Sequence, residues 1–494
     1  MQYAPKDIYL LSPMQEGMLF HALYEKNSSV YFEQTSYRLY GELDVSLVEK
    51  SLNELFKRHD ILRTVFLSKG LDHPVQVVLK DRQVDFFYKD IRKTIESTGE
   101  EKEKFIKEFR EKDRQRSFDL SRDVLMRVAV LQIGSTEYEF TWSFHHILMD
   151  GWCIGILVSE FFEMYNSYLG SRKCRLEPVQ PYRAFIEWLE TQNREKSRNF
   201  WRKYLEGYKE AVHIKKIKMY ETADSRYKKE EVTFTFDEKK SQGLNELASR
   251  NQVTLSSIFR LVWGIILARY TGKQDVVFGA VVSGRPAEIE GVESMVGLFI
   301  NTIPVRLRIV TEEKITFKEL LRKAQEDAID SEPHHYYPLA RIQAENVLKQ
   351  DLLDHILVFE NYPTEKRVDG LMKSDEKSSE EVKLKVSNVE IFEQSSYDFN
   401  VIIGDKEKLN LRFLYNGNLF NREFVEKVSG HFFKIVDQIL NDDQIEVCKL
   451  EILGEKEISR LIKMIRNEND KSFIEENIER NKDSVENLEA NFDF

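Results

Sequence analysis

The chain has little cysteine. Cys153, Cys174 and Cys448, in a length of 494, are an odd number without metal-site spacing. That argues against a disulfide scaffold and predicts reduced, structural thiols and no bound metal. Ten prolines are too few for a fibrous or proline-rich disordered chain. No apolar run approaches the roughly eighteen residues of a membrane span. The N-terminus, MQYAPKDIYLLSP, lacks the basic start and apolar core of a secretory signal, so the expected setting is the cytoplasm, with no membrane partner. Positive charge is also outweighed: 73 Lys and Arg face 84 Asp and Glu, a net charge of −11. A polyanion needs a basic surface, so nucleic acid is not an expected partner.

What is present is core-forming. Hydrophobic residues make up 41% and aromatics 12% of the chain, the composition of an ordered globular protein. The length exceeds what one core usually serves, which predicts two lobes. In DVSLVEKSLNELFKR, residues 44 to 58, Val45, Leu47, Val48, Leu52 and Leu55 fall near one helical face. VLMRVAVLQI (124–133) and EYEFTWSFHH (137–146), separated by GST, predict a β-hairpin. After Gly151 the period changes to three and four, through Ile154, Leu157, Val158, Phe161, Tyr165 and Tyr168, and predicts a helix. The second half alternates strands (EVTFTF, DVVFGAVVS, NTIPVRLRI) with helices near 238–250 and 256–270, so the fold class is α/β throughout. One helix from about Tyr182 to Leu205, with the polar stretch after it, is the expected crossing between lobes. Residues 364–386 predict a long surface loop. An N-terminal lobe is assigned to 1–176, a C-terminal lobe to 177–465, and a mobile acidic tail to 466–494.

The stretch SFHHILMDGW, 143 to 152, stands out. Neighbouring side chains on a strand point to opposite faces. His146 shares the parity of Tyr138, Phe140, Trp142 and Phe144, and His145 that of Glu139, Thr141 and Ser143. His146 thus emerges from an apolar row where the strand stops, a place where a histidine can stay neutral and accept a proton. Taken alone, the pattern is more often a hydrogen-bonded structural histidine followed by an Asp-Gly turn. His59, beside Asp60 and Arg63, reads as structural, and His334 and His335, with no Asp-Gly after them, as loop histidines.

HHILMDG matches the HHxxxDG signature of the condensation domains of non-ribosomal peptide synthetases. LSPMQEGMLFH (11–21), RHDILRTVF (58–66), PYRAFIEW (181–188), MVGLFINTIPVR (295–306), HHYYPLARIQ (334–343) and FENYP (359–363) resemble that family's other motifs, in its order. The resemblance implies two chloramphenicol-acetyltransferase-like α/β lobes in a V, with the active site in a tunnel between them. It implies an acyltransferase that passes a donor from its thioester to the amine of an acceptor. Both would be presented on 4′-phosphopantetheine arms of peptidyl carrier proteins, with other synthetase modules as partners and no cofactor bound by the chain itself.

The resemblance assigns His146 as the catalytic residue, with His145, Asp150 and Gly151 in support and Arg285 of SGRP as the partner of Asp150. Asn301 and Tyr397 resemble tunnel-lining residues, although a strand-end cap and a core tyrosine describe them as well. For Gly151, room for close backbone approach and a plain turn glycine both fit. The first motif resembles domains that take a donor ending in a D-residue. The DxxxxD pattern of heterocyclisation domains is absent at that place, and the first motif differs from that of epimerisation domains. Two alternatives stay open: a condensation-like domain that only recruits partner enzymes, and an ester-forming relative.

Overall fold

The computed structural model describes residues 4–24, 30–92, 99–216, 227–309, 314–360, 384–405, 408–454 and 457–459. Most of the expected surface loop at 364–386, and all of the stretch read as an acidic tail, lie outside the described residues.

The first half supplies strands β1 (Pro5–Leu10), β2 (Phe32–Tyr40), β3 (Thr64–Leu67), β4 (Val75–Leu79), β5 (Asp85–Asp90), β6 (Met126–Gln132) and β7 (Glu137–His145). Its helices are α1 (Pro13–Tyr24), α2 (Val45–Arg58), α3 (Gly99–Gln115) and α4 (Gly151–Leu169). The second half begins with α5 (Arg183–Thr191), α6 (Arg194–Tyr204), β8 (Lys229–Thr235), α7 (Glu238–Asn251), α8 (Leu255–Thr271), β9 (Asp275–Val282) and β10 (Asn301–Arg308). There follow α9 (Phe317–Ser331), α10 (Leu339–Glu345), β11 (Ile356–Glu360), β12 (Lys385–Phe392), β13 (Phe399–Asp405), β14 (Leu409–Asn416) and α11 (Arg422–Asn441).

Two larger sheets organise the packing. One runs β12-β2-β7-β6-β5 and the other β10-β9-β11-β13-β14-β8, beside a small β1-β4-β3 sheet. On β7 the alternation read from the sequence is realised. Tyr138, Phe140, Trp142 and Phe144 enter a core shared with Leu52 of α2 and Phe161 of α4. Glu139 and Ser143 turn the other way and bond to Arg38 of β2 and to Asp113 of α3. Each large apolar side chain buried in this way contributes about 1.5–3 kcal/mol. α2 starts where Asp44 accepts the N–H groups of Ser46 and Leu47, satisfying donors that the first turn leaves free. A second core packs Val262 and Ile266 of α8 and Phe432 of α11 on the six-stranded sheet.

The single helix expected from Tyr182 to Leu205 is two. The chain leaves α5 at Gln192, and the Asn193 side chain accepts the N–H of Lys196 to start α6. An asparagine that caps in this way competes with continuing the helix. The break marks a change of core: Phe185, Ile186 and Leu189 belong to the first, Trp201 and Leu205 to the second. The second half also returns to the first core, through Val292, Met295, Leu298 and Phe299. It further supplies β12, which pairs with β2 from Lys385↔Tyr40 to Phe392↔Gln34.

The pair read as loop histidines lies in the connection between α9 and α10, and is packed there. His334 lies buried in a short 3₁₀ turn, its ring 4.2 Å from that of Phe200 and its Nδ1 2.8 Å from the Ser197 hydroxyl. His335 sits 3.1 Å from the Ser331 hydroxyl, and burial pushes its pKa down to about 3. His59, read as structural, is buried 2.6 Å from Glu160.

Candidate active site

β7 ends at His145, and residues 146–150 turn the chain into α4. Several backbone bonds fix the turn. The His146 N–H donates to Tyr31 O at 2.8 Å, Met149 N–H to His146 O at 3.1 Å, and Asp150 N–H to Gly297 O at 3.4 Å. Buried Gln15, from the LSPMQEGMLFH stretch, adds a side-chain bond to Ile147 O at 3.2 Å. The sequence names Gln15 only as part of that motif; its hold on the turn is a contact across the fold.

The two histidines diverge as parity requires. His145 is buried between Tyr31 and Phe118, and its Nδ1 accepts the Ile147 N–H at 3.1 Å. Burial lowers its pKa to about 3, so it is neutral at cellular pH. His146 is half-buried and faces a large cavity. Its Nδ1 lies 2.8 Å from Met149 O. A carbonyl can only accept, so Nδ1 carries the proton and Nε2 keeps its lone pair. The imidazole is oriented by the backbone of its own turn.

Asp150 points elsewhere. Its Oδ1 lies 3.3 Å from Arg285 Nη2 and its Oδ2 accepts the Phe299 N–H at 3.0 Å; the two side chains are 1% and 5% exposed. Arg285 also donates to Val292 O at 2.6 Å and Met295 O at 3.0 Å, and stacks 4.0 Å from the Phe299 ring centre. The Cys153 thiol packs against the pair, 3.4 Å from Asp150 Oδ1, and burial pushes its pKa to about 12, leaving it an inert thiol. Gly284 explains how Arg285 reaches this place. Its φ is +59°, and a Cβ there would lie 1.9 Å from Phe299 O, so only glycine admits the approach.

Gly151 opens α4 on the cavity wall, outside the positive-φ region that would demand glycine. Asn301 and Tyr397 line the same cavity from the second half of the chain. Asn301 donates to His335 O at 2.7 Å and Tyr337 O at 2.9 Å. The Tyr397 backbone N–H donates to Ser395 Oγ at 3.1 Å, and burial drives its phenol well above the ordinary tyrosine range. The cavity measures about 2130 Å³ and brings together His146, Gly151, Asn301 and Tyr397; Asp150 and Arg285 stay behind its wall.

The family model described as "Condensation domain" matches residues 5–462. The chain is 41% identical over 458 residues to tyrocidine synthase 2 of Brevibacillus parabrevis, covering 92% of this chain and 12% of that protein. It is 39% identical over 459 residues to bacitracin synthase 3 of Bacillus licheniformis, covering 93% of this chain and 7% of that protein. It therefore belongs to the condensation domain family of non-ribosomal peptide synthetases, a family of amide-forming acyltransferases, and spans a small part of these much longer relatives. Among solved structures, the starter condensation domain of rhizomide synthetase RzmA aligns with a TM-score of 0.72 at 15% identity, over 91% of this chain and 100% of that one. The X-domain in a complex with OxyB from teicoplanin biosynthesis aligns at 0.73 and 18%, over 92% and 97%. At such identities the likeness shows the fold, the two-lobed chloramphenicol-acetyltransferase-like α/β architecture expected from the motifs. Among the described residues no single helix is long and apolar enough to cross a membrane.

Proposed function

We propose that the chain joins a carrier-bound aminoacyl or peptidyl donor to the amine of a carrier-bound aminoacyl acceptor, with His146 as the catalytic residue. The observation that carries this reading is the His146 Nδ1 contact with Met149 O, which leaves Nε2 as a proton acceptor on the cavity wall. An α-amine with a pKa near 8 is partly neutral at cellular pH, and a thioester is already activated, so no strong base is needed. The amine nitrogen attacks the thioester carbonyl carbon while Nε2 orients it and takes its proton. Collapse of the tetrahedral adduct breaks the C–S bond, and the proton passes from His146 to the departing sulfur. Holding both arms in one cavity removes several kcal/mol of barrier, and the positioned base contributes about 10²- to 10⁴-fold.

Asp150 and Arg285 hold the turn and take no part in proton transfer. The tunnel between the lobes, 1–176 and 177–465, would admit one phosphopantetheine arm from each side, and the second lobe also lends packing segments to the first. The first motif, LSPMQEGMLFH, supports a donor ending in a D-residue. Retention of His146 supports catalysis over recruitment alone. The test is incubation with two loaded carrier proteins, one series with D- and one with L-ended donors, followed by mass analysis of the acceptor. Amide on the acceptor, formed faster from the D-donor and reduced about 10²-fold or more in folded His146→Ala, is the expected result. Full activity in that variant removes the assignment, and product only with hydroxy acceptors points to the ester-forming relative.

A further inference from the structure

At one group of side chains on the cavity the charges do not balance. Arg412 of β14 is shared by three carboxylates: Glu393 at 2.9 Å, Glu360 at 3.2 Å and Glu231 at 3.7 Å. Lys229 of β8 stands 3.7 Å from Glu231. A further carboxyl, Glu33 of β2, lies in the same field and opens onto the cavity, its side chain making no hydrogen bond or ion pair among the described residues. In this group four carboxyls therefore meet two cations, a surplus of two, and Glu33 is the carboxyl that forms no ion pair with either cation among the described residues.

Its place in the sheet matters. Glu33 pairs across the ladder with Phe144, two residues before His146, and both Phe144 and His146 line the cavity. Two residues along a strand span about 7 Å, so the lone carboxyl sits one row from the imidazole. A carboxyl held there unpaired is costly and is relieved by a cation. The reacting α-amine is the wrong cation, since a carboxylate would keep it protonated and unreactive. A charged side chain that does not react satisfies both needs.

We infer that the cavity accepts a substrate residue with a cationic side chain, an ammonium or guanidinium, which pairs with Glu33. This rests on the condensation reading and names the substrate class for it. Donor and acceptor residues are the two sources of such a side chain, and they are separable with stable pantetheine amides that cannot react. Ornithine and its near-isostere norleucine are each coupled to pantetheine, N-acetylated to imitate a donor and with a free α-amine to imitate an acceptor. Binding to the full chain is measured by calorimetry.

In one of the two series the ornithine amide should bind at least about tenfold tighter than the norleucine amide. Glu33→Gln should bring that ratio below about threefold, and Glu33→Asp, which keeps the charge, should retain most of it. Circular dichroism confirms that each variant is folded. Equal binding of the two amides in both series, including no binding of either, overturns the inference, as does a ratio unchanged in Glu33→Gln. Turnover is scored separately with loaded carriers: an ornithine preference without amide formation refutes the condensation reading alone, whereas amide formation without the preference refutes only this assignment.

Discussion

Two charged regions flank the same cavity and are built on opposite plans. Behind the His146 turn, one carboxylate meets one guanidinium, and the Asp150 oxygens and the Arg285 Nη atoms are engaged by each other, by backbone or by the Cys153 thiol. Elsewhere on the cavity wall, Arg412 is divided among three carboxylates and the Glu33 side chain has no partner among the described residues. A closed pair buried at 1% and 5% exposure has nothing left to offer a ligand, so it fixes geometry. An open cluster in contact with the cavity keeps unspent charge, so it can choose what enters.

The largest effect should come from breaking the closed pair. Asp150→Asn or Arg285→Gln leaves a buried charge without its partner, at about 3–5 kcal/mol of unfolding free energy. Denaturant titration of both singles and the double should give a coupling of about 1 kcal/mol or more. Additive losses, with activity lost through Asp150 alone, would return that carboxylate to the chemistry.

Acid separates the regions next. His145 at the turn is neutral when folded, its pKa about 3 against 6.5 when free. The unfolded chain binds the proton first, so its stabilising contribution is complete above about pH 6.5 and is lost as the pH falls toward 3. One pH unit below 6.5 costs on the order of 1.4 kcal/mol, and His335 adds a second such group. Melting temperature measured from pH 7.5 to 5 should fall, and His145→Gln should flatten the decline; an unchanged profile would mean that His145 is not the buried neutral group described.

The open wall has the opposite sign. Burial, with Glu393 beside it, raises the Glu33 pKa well above the ordinary glutamate range. The folded state then holds the proton more tightly, so this contribution is present at low pH and lost as the pH rises. Glu33→Gln should therefore raise the melting temperature, by more at pH 8 than at pH 5. A variant that melts lower at pH 8 would show that a partner does stabilise the carboxylate.

The turn was legible because its signals are local. Period two gives way to period three and four at Asp150 and Gly151, and β7 and α4 end and begin there. Parity alone separated His145 from His146. The family motifs brought Arg285 to Asp150, a contact between residues far apart in sequence that no periodicity could supply. The open wall was not legible, since Glu33, Glu231, Glu360, Glu393 and Arg412 come from five separate stretches that meet only in the folded protein. The long helix failed for a local reason: Asn193 caps where the apolar period alone favours continuing. His334 and His335 sit in a connection as read, but their packing was not legible, since polarity in sequence does not reveal that Ser197, Phe200 and Ser331 will lie against them.

Strand β12 has a consequence for how the protein is made. It forms one edge of the sheet that carries β7, yet its partner β2, ending at Tyr40, leaves the ribosome long before β12 begins at Lys385. Until β12 arrives, β2 presents an unpaired backbone edge, the kind of surface on which nascent chains pair wrongly. Ladder contacts so distant in sequence also form slowly. The histidine turn can therefore be translated, and much of its core collapsed, well before the sheet beneath it is complete, which makes late synthesis the interval in which this domain is most exposed to misassembly.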